Sequence, residues 1–183
     1  MKMSNQYTHE KLIVISPKSF DELRKIIEDR YDKLGAGTKQ KPIDFNDIDV
    51  SNIDSFYNYN KNKGLFEGTK FKFIDISNWN VSNVTDMKLM FYDCDELETV
   101  GDISKWDVSN VIDMYAVFNN CKSFNQDISG WDVSNVTNMA FMFNGCESFN
   151  QDISGWNVSK VSYKLNVFKH CPIKEEYKPK FKK

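Results

Sequence analysis

Histidine is almost missing from this 183-residue chain: His9 and His170 are the only two. No His-Glu-x-x-His, Cys-x-x-Cys or His-x-x-x-His spacing occurs, so zinc finds no ready set of ligands. No Ser-His-Asp arrangement stands out either, and the chain reads as a non-enzyme without a cofactor. Proline and glycine are scarce, at 4 and 8 residues. That excludes collagen-like and low-complexity chains. Long apolar runs are absent. Leu12-Ile13-Val14-Ile15 is too short for the core of a secretory signal, and nothing approaches the roughly 18 apolar residues of a membrane helix. No cysteine lies near the start to carry a lipid. The expected location is the cytoplasm, with the bacterial cell surface as the alternative if a leader has been removed.

Charge of one sign is also lacking overall. The net is −2, from 24 basic and 26 acidic residues, so nothing global draws nucleic acid or anionic lipid. The distribution is uneven. Residues 75–160 hold 4 basic and 13 acidic residues, a net of −9, whereas residues 161–183 hold 7 and 2, a net of +5. An acidic body should repel phosphates and attract a basic protein. The Lys-rich end reads as a solvated, fraying tail.

What the chain does have is a repeat. With 40% apolar and 14% aromatic residues it can build a core. Trp79, Trp106, Trp131 and Trp156 recur at 27, 25 and 25 residues, and Phe91, Phe118, Phe143 and Phe168 share that spacing, as do Cys94, Cys121, Cys146 and Cys171. Each copy reads D-I-S-x-W-x-V-S-x-V, six residues, then F-x-x-C. A decayed copy precedes them: Ile48 stands for Trp, Leu65-Phe66 for Met90-Phe91 and Thr69 for Cys, after about six inserted residues. Terminal repeats are expected to be atypical.

In the third full copy Trp131 and Val133 alternate at strand period. Ser134-Asn135 offers helix N-cap chemistry. Val136, Met139, Phe143 and Cys146, spaced 3, 4 and 3, predict one face of a short helix that Gly145 ends. One such unit cannot bury its own aromatics, so units must stack. The I-x-x-W-x-V-x-x-V spacing is that of a leucine-rich-repeat strand with Trp in a Leu position. The expected fold is α/β: a leucine-rich-repeat-like solenoid with parallel strands on one face and short helices on the other. Residues 1–42 are an N-terminal cap, a strand near Leu12–Ser16 and a helix opened by Ser19, striped by Phe20, Leu23, Ile26, Ile27, Tyr31 and Leu34, and ended by Gly35 and Gly37. Residues 43–74 are the degenerate first repeat, 75–171 the four-repeat array and 172–183 the basic tail.

The motif Asp127-Ile128-Ser129-Gly130-Trp131-Asp132-Val133-Ser134-Asn135-Val136-Thr137-Asn138-Met139, with Met142-Phe143 and Cys146, resembles the BspA-like leucine-rich repeat proteins, in the version also found in Mycoplasma surface lipoproteins. The resemblance spans about Asp47 to Cys171. It implies display on bacterial surfaces and adhesion to host proteins or other cells, and it brings no catalytic residues.

The tryptophans read as core rather than as sugar platforms. The cysteines read as free thiols, because equivalent positions behind packed helices lie about 8–10 Å apart, beyond disulfide reach. Asp75, Asp102, Asp127 and Asp152 form a column that caps turns, with calcium as the lesser reading. The N-x-S/T sequons at Asn80, Asn83, Asn135 and Asn157 follow from the repeat text and are not read as glycosylation. The candidate partner-binding columns are Asn78, Lys105, then Asn80, Asp107, Asp132, Asn157, then Ser82, Ser109, Ser134, Ser159. Short and polar, they suit a protein or peptide partner of a monomer, bound without catalysis. The alternative is an inhibitor or scaffold inside the cell whose acidic array occupies a basic surface of another protein.

Overall fold

A computed structural model describes residues 14–182. The strand expected at Leu12–Ser16 lies partly outside the described residues, and His9 lies wholly outside them. Within them, Ile15 forms a parallel bridge with Ile48, its amide donating to the Asp47 carbonyl at 2.8 Å.

Helix α1 runs Phe20–Leu34. It starts where the Ser19 hydroxyl accepts the Glu22 amide, with Asp21 and Glu22 in the first turn. It stops at Gly35, whose φ of 73° lets its amide return to the Tyr31 carbonyl. Leu23 and Ile27 are fully buried, and Tyr31 meets Phe71 edge-on at 5.0 Å. Arg30 holds both carboxylate oxygens of Asp47, at 2.6 and 2.5 Å. The helix thus covers the open end of the first repeat. In that repeat β1 (Ile43–Asp44) pairs in parallel with β4 (Ile74–Asp75). The inserted residues form a small antiparallel hairpin, β2 (Tyr57–Asn58) with β3 (Lys63–Gly64).

Successive repeats lie side by side. Parallel bridges run Ser55–Asp86–Asp113–Asn138–Tyr163, one residue per repeat. This column falls seven residues after each Trp. The expected strand at Trp-x-Val is not paired among the described residues; its groups are turned to local partners, the Trp79 amide donating to the Ile76 carbonyl and the Val81 carbonyl accepting the Val84 amide.

The expected helix over Val136–Cys146 is replaced by tight turns, and the same holds in each repeat. Met142, Asn144 and Cys146 amides donate three residues back, to Met139, Phe141 and Phe143. The amides between them, of Met139, Phe141, Phe143 and Gly145, reach the Tyr163, Leu165, Val167 and Lys169 carbonyls of the next repeat at 2.8–2.9 Å. A helix would send every amide four residues back; here alternate amides are recruited by the neighbour. The arc needs left-handed backbone at Phe141 (φ 60°) and Gly145 (φ 73°), and at Leu89, Asp93, Ala116, Asn120, Asn166 and His170 in the other copies. Apolar spacings of 3 and 4 fit these turns as well as a helix.

The alternate amides of this arc, from Met139 to Gly145 and their counterparts, all reach the following repeat. Phe66, Phe91, Phe118 and Phe143 donate in turn to Met90, Val117, Met142 and Val167; Gly68, Asp93, Asn120 and Gly145 donate to Tyr92, Asn119, Asn144 and Lys169. Side chains add further inter-repeat bonds. Trp79, Trp131 and Trp156 Nε1 donate to the Phe45, Ile103 and Ile128 carbonyls at 2.9, 2.9 and 3.2 Å. Asn83, Asn110 and Asn135 Nδ2 donate to Ser51, Ser82 and Ser109 carbonyls at 2.7–2.8 Å. Between them runs a stack of near-parallel rings: Phe66, Phe91, Phe118, Phe143 and Phe168, at centroid spacings of 5.3, 5.5, 5.7 and 5.7 Å.

Trp106 breaks the pattern: its buried Nε1 has no partner among the described residues. Two extra residues lie between Cys94 and Asp102, just before this copy. A Phe at a donating Trp leaves a carbonyl one bond short, whereas at Trp106 it removes an orphaned donor. Trp106→Phe is therefore expected to cost about 1 kcal/mol less than Trp131→Phe in denaturant unfolding. Equal losses would contradict this account.

The Lys-rich end is not the fraying tail expected. Ile173 and Pro179 are buried, Phe181 packs on the core, and the Tyr177 carbonyl accepts the Ile153 amide at 3.0 Å. Its apolar residues, spaced among the lysines, hold it down while the charges stay in water.

Candidate functional site

The candidate partner-binding residues are turn-builders. Asn80 Oδ1 accepts the Ser82 amide at 3.2 Å and its hydroxyl at 2.8 Å. Asp107 does the same for Ser109, at 3.1 and 2.6 Å. Asp132 accepts the Ser134 amide at 3.0 Å and Asn157 the Ser159 amide at 3.2 Å. The Asn78 amide is bound by Asn46 Oδ1 at 2.8 Å, and Lys105 is exposed. The serines were expected to cap helices. Instead each is itself held, by the side chain two residues before it. The column is exposed, but each carboxylate or amide oxygen is already turned on its own backbone.

The second column behaves alike. Asp75, Asp102, Asp127 and Asp152 accept the amides of Ser77, Ser104, Ser129 and Ser154 at 2.9–3.0 Å. No three His, Cys, Asp or Glu side chains gather for a metal among the described residues. The serine hydroxyl, then the serine amide, holds Asp102, Asp107, Asp132 and Asp152 below the ordinary value of 3.8. At Asp127 the amide of Ser129 contributes most. A depressed native pKa adds stability above the ordinary value and loses it as pH falls through the native one. The melting temperature should drop steeply below about pH 4. Asp107→Asn keeps the turn, as Asn80 shows, and should flatten that dependence; an unchanged profile would refute the assignment.

Cys94, Cys121 and Cys146 are fully buried free thiols, and Cys171 is half-buried. Each donates to a carbonyl one repeat back: Cys94 to Phe66, Cys121 to Phe91 and Cys146 to Phe118, at 2.9–3.0 Å. Burial pushes the Cys94 thiol up to about 11 and Cys121 and Cys146 higher, against the thiolate that reactivity needs. Labelling of the native protein with a thiol reagent should therefore modify Cys171 first, with the other three reacting only after unfolding. Four equal rates would contradict the packing.

A further surface, not anticipated from the sequence, lies along the bridge column. Tyr57, Leu89 and Ala116 form an apolar cluster separate from the core, with Tyr92, Tyr115 and Phe141 packed on it. Tyr59 meets Tyr57 edge-on at 4.8 Å, donates to Asp86 at 2.5 Å and is 69% exposed. That bond raises the Tyr59 hydroxyl to about 12. Lys88 Nζ sits 4.6 Å from the Tyr57 ring centroid. Tyr163 and Leu165, on the last repeat, are 67% and 62% exposed. The signal was present at one repeat position, where Lys88, Tyr115 and Leu165 lie off the buried stripe and only Ala140 is buried.

The family model described as "Mycoplasma protein of unknown function, DUF285" matches residues 60–179. The chain belongs to this family. The DUF285 match takes in all four full repeats, the aromatic surface from Tyr92 to Leu165 and most of the packed C-terminal segment. No curated protein and no solved structure matches the chain. No described helix is long and apolar enough to cross a membrane.

Proposed function

We propose that this chain is a non-catalytic protein-binding module of adhesion or interaction type, built as a leucine-rich-repeat-like stack akin to the BspA-like proteins. The observation that carries the binding role is the aromatic surface of Tyr59, Tyr115, Phe141, Tyr163 and Leu165. Grouped aromatic side chains outside a core are the residue type that anchors protein interfaces. The exposed columns from Asn78 to Ser159 are the polar part of the proposed binding surface. Spacing and parallel bridges support the repeat assignment, and the turn-built arcs in place of helices set this version apart.

The net charge of −9 over residues 75–160 favours a second reading, occupation of a basic surface on another protein. Capture from source-cell and host-cell lysates separates the two. Tyr115→Ala with Tyr163→Ala should weaken a partner's binding at least roughly tenfold if the aromatic surface binds. Asp107→Lys with Asp132→Lys should do so if the acidic array binds. Retention of every partner by both double variants would sink both readings.

A further inference from the structure

The inter-repeat bonds made by the alternate amides of the arc, from Met139 to Gly145 and their counterparts, all run to the following repeat, and the two ends of the stack are finished differently. At the first repeat the outward groups are carbonyls. Arg24, from α1, closes this end: its Nη1 donates to Leu65 O at 2.5 Å and Gly64 O at 3.2 Å, and both terminal nitrogens reach Glu67 O at 3.5 Å. A cation thus meets the negative end of aligned peptide dipoles. At the last repeat the outward groups are amides. Lys164, Asn166, Phe168 and His170 stand where Met139, Phe141, Phe143 and Gly145 stand one repeat earlier. Their N–H groups donate to no acceptor among the described residues. Tyr177 is bonded back to Ile153 instead, and the packed C-terminal segment, whose Lys178 Nζ lies 5.7 Å from the Phe168 ring centroid and whose Phe181 ring and Lys182 carbonyl meet Lys164 Nζ, gives these four amides no hydrogen-bond partner. A single outward carbonyl, that of Ser162, flanks them.

From this asymmetry we infer that the last repeat is a docking edge for an acidic, extended segment of a partner protein, whose carboxylates accept the four amides. Three observations select that occupant. The edge from 164 to 170 offers donors only, so an ordinary β-strand, which presents N–H and C=O alternately, meets it with half its groups opposed. The surrounding charge is positive, with 7 basic and 2 acidic residues in 161–183, and Lys164, Lys169 and His170 are exposed on the edge itself. A second copy is a poor fit, because Arg24 already takes the carbonyls it would bring. A nucleic acid would run past this end onto the body of net −9.

A fluorescent hexaglutamate peptide tests this on the full chain. Its anisotropy should rise on binding, and amide exchange at Lys164, Asn166, Phe168 and His170, fast in the free protein, should slow. Lys164→Glu with Lys169→Glu, both on exposed side chains, should weaken the peptide roughly tenfold. Slowed exchange by hexaglutamate, but not by inorganic phosphate or oligothymidine at the same concentration, supports the assignment. Equal protection by oligothymidine or phosphate, self-association that protects the four amides, or four amides already slow in the free protein would each overturn it.

Discussion

Phe118→Ala should lower the stability by about 3–5 kcal/mol. Phe118 is fully buried between Phe91 at 5.5 Å and Phe143 at 5.7 Å, lies on Phe124 at 4.1 Å and tilts against Trp131 at 6.3 Å. The four aromatic neighbours cannot readily collapse into the void, because each is held by its backbone amide, Phe91 on Val117, Phe143 on Val167, Phe124 on Cys121 and Trp131 on Ile128. A small domain holds only about 5–15 kcal/mol in total, so a third or more is at stake. Stacked repeats touch only their neighbours, and damage at the centre should uncouple the two halves. The unfolding transition should broaden, with amides after Cys121 exchanging earlier than those before Val84. Leu165→Ala, on an exposed side chain, is the control and should shift stability by less than about 0.5 kcal/mol. A loss below 1 kcal/mol at Phe118 would mean the ring stack is not what holds the repeats together.

Gly64→Ala should be nearly as damaging, at about 3 kcal/mol, the upper end for overpacking. Gly64 is buried, and a Cβ there would overlap the backbone carbonyl of Leu89. That carbonyl cannot retreat: it accepts the Tyr92 amide at 3.0 Å while the Leu89 amide is held by Tyr115 at 3.0 Å. Gly64 is pinned as well, its amide on the Glu67 carboxylate at 2.7 Å and its carbonyl on Arg24. Gly155→Ala is the contrast. Its Cβ would meet open space and its backbone is not left-handed, so the change should be neutral or stabilising by up to about 1 kcal/mol. Comparable losses at both glycines in urea unfolding would refute the close approach.

The repeat was legible because identical residues at identical spacing leave few ways to bury four Trp. Helix α1 was legible from Ser19, the acidic first turn and Gly35, which are local signals. The arc was not. Val136, Met139, Phe143 and Cys146 carry a helical spacing, but whether an amide bonds back along the chain or across to a neighbour is decided by the stack. A clue did exist: Asp93, Asn120, Gly145 and His170 recur at one position, and Asn, Asp, His and Gly are the residues that tolerate left-handed backbone. The turns built by the Asn78-to-Ser159 columns stayed hidden for a related reason. Asp-x-Ser and Asn-x-Ser look like polar decoration on a strand, yet each closes a turn on itself. The aromatic surface stayed hidden because it sits on the arc that the spacing assigned to a helix.

The one-way bonding gives the molecule a sense, like a screw thread with one end plugged. A further 25-residue unit spliced between Cys171 and Pro172 would find four waiting donors and a Phe168 ring to lie on. The same unit placed before Ile43 would meet the guanidinium of Arg24. Lengthening by duplication is therefore open at one end alone, and variants with more turns should keep this N-terminal helix unaltered.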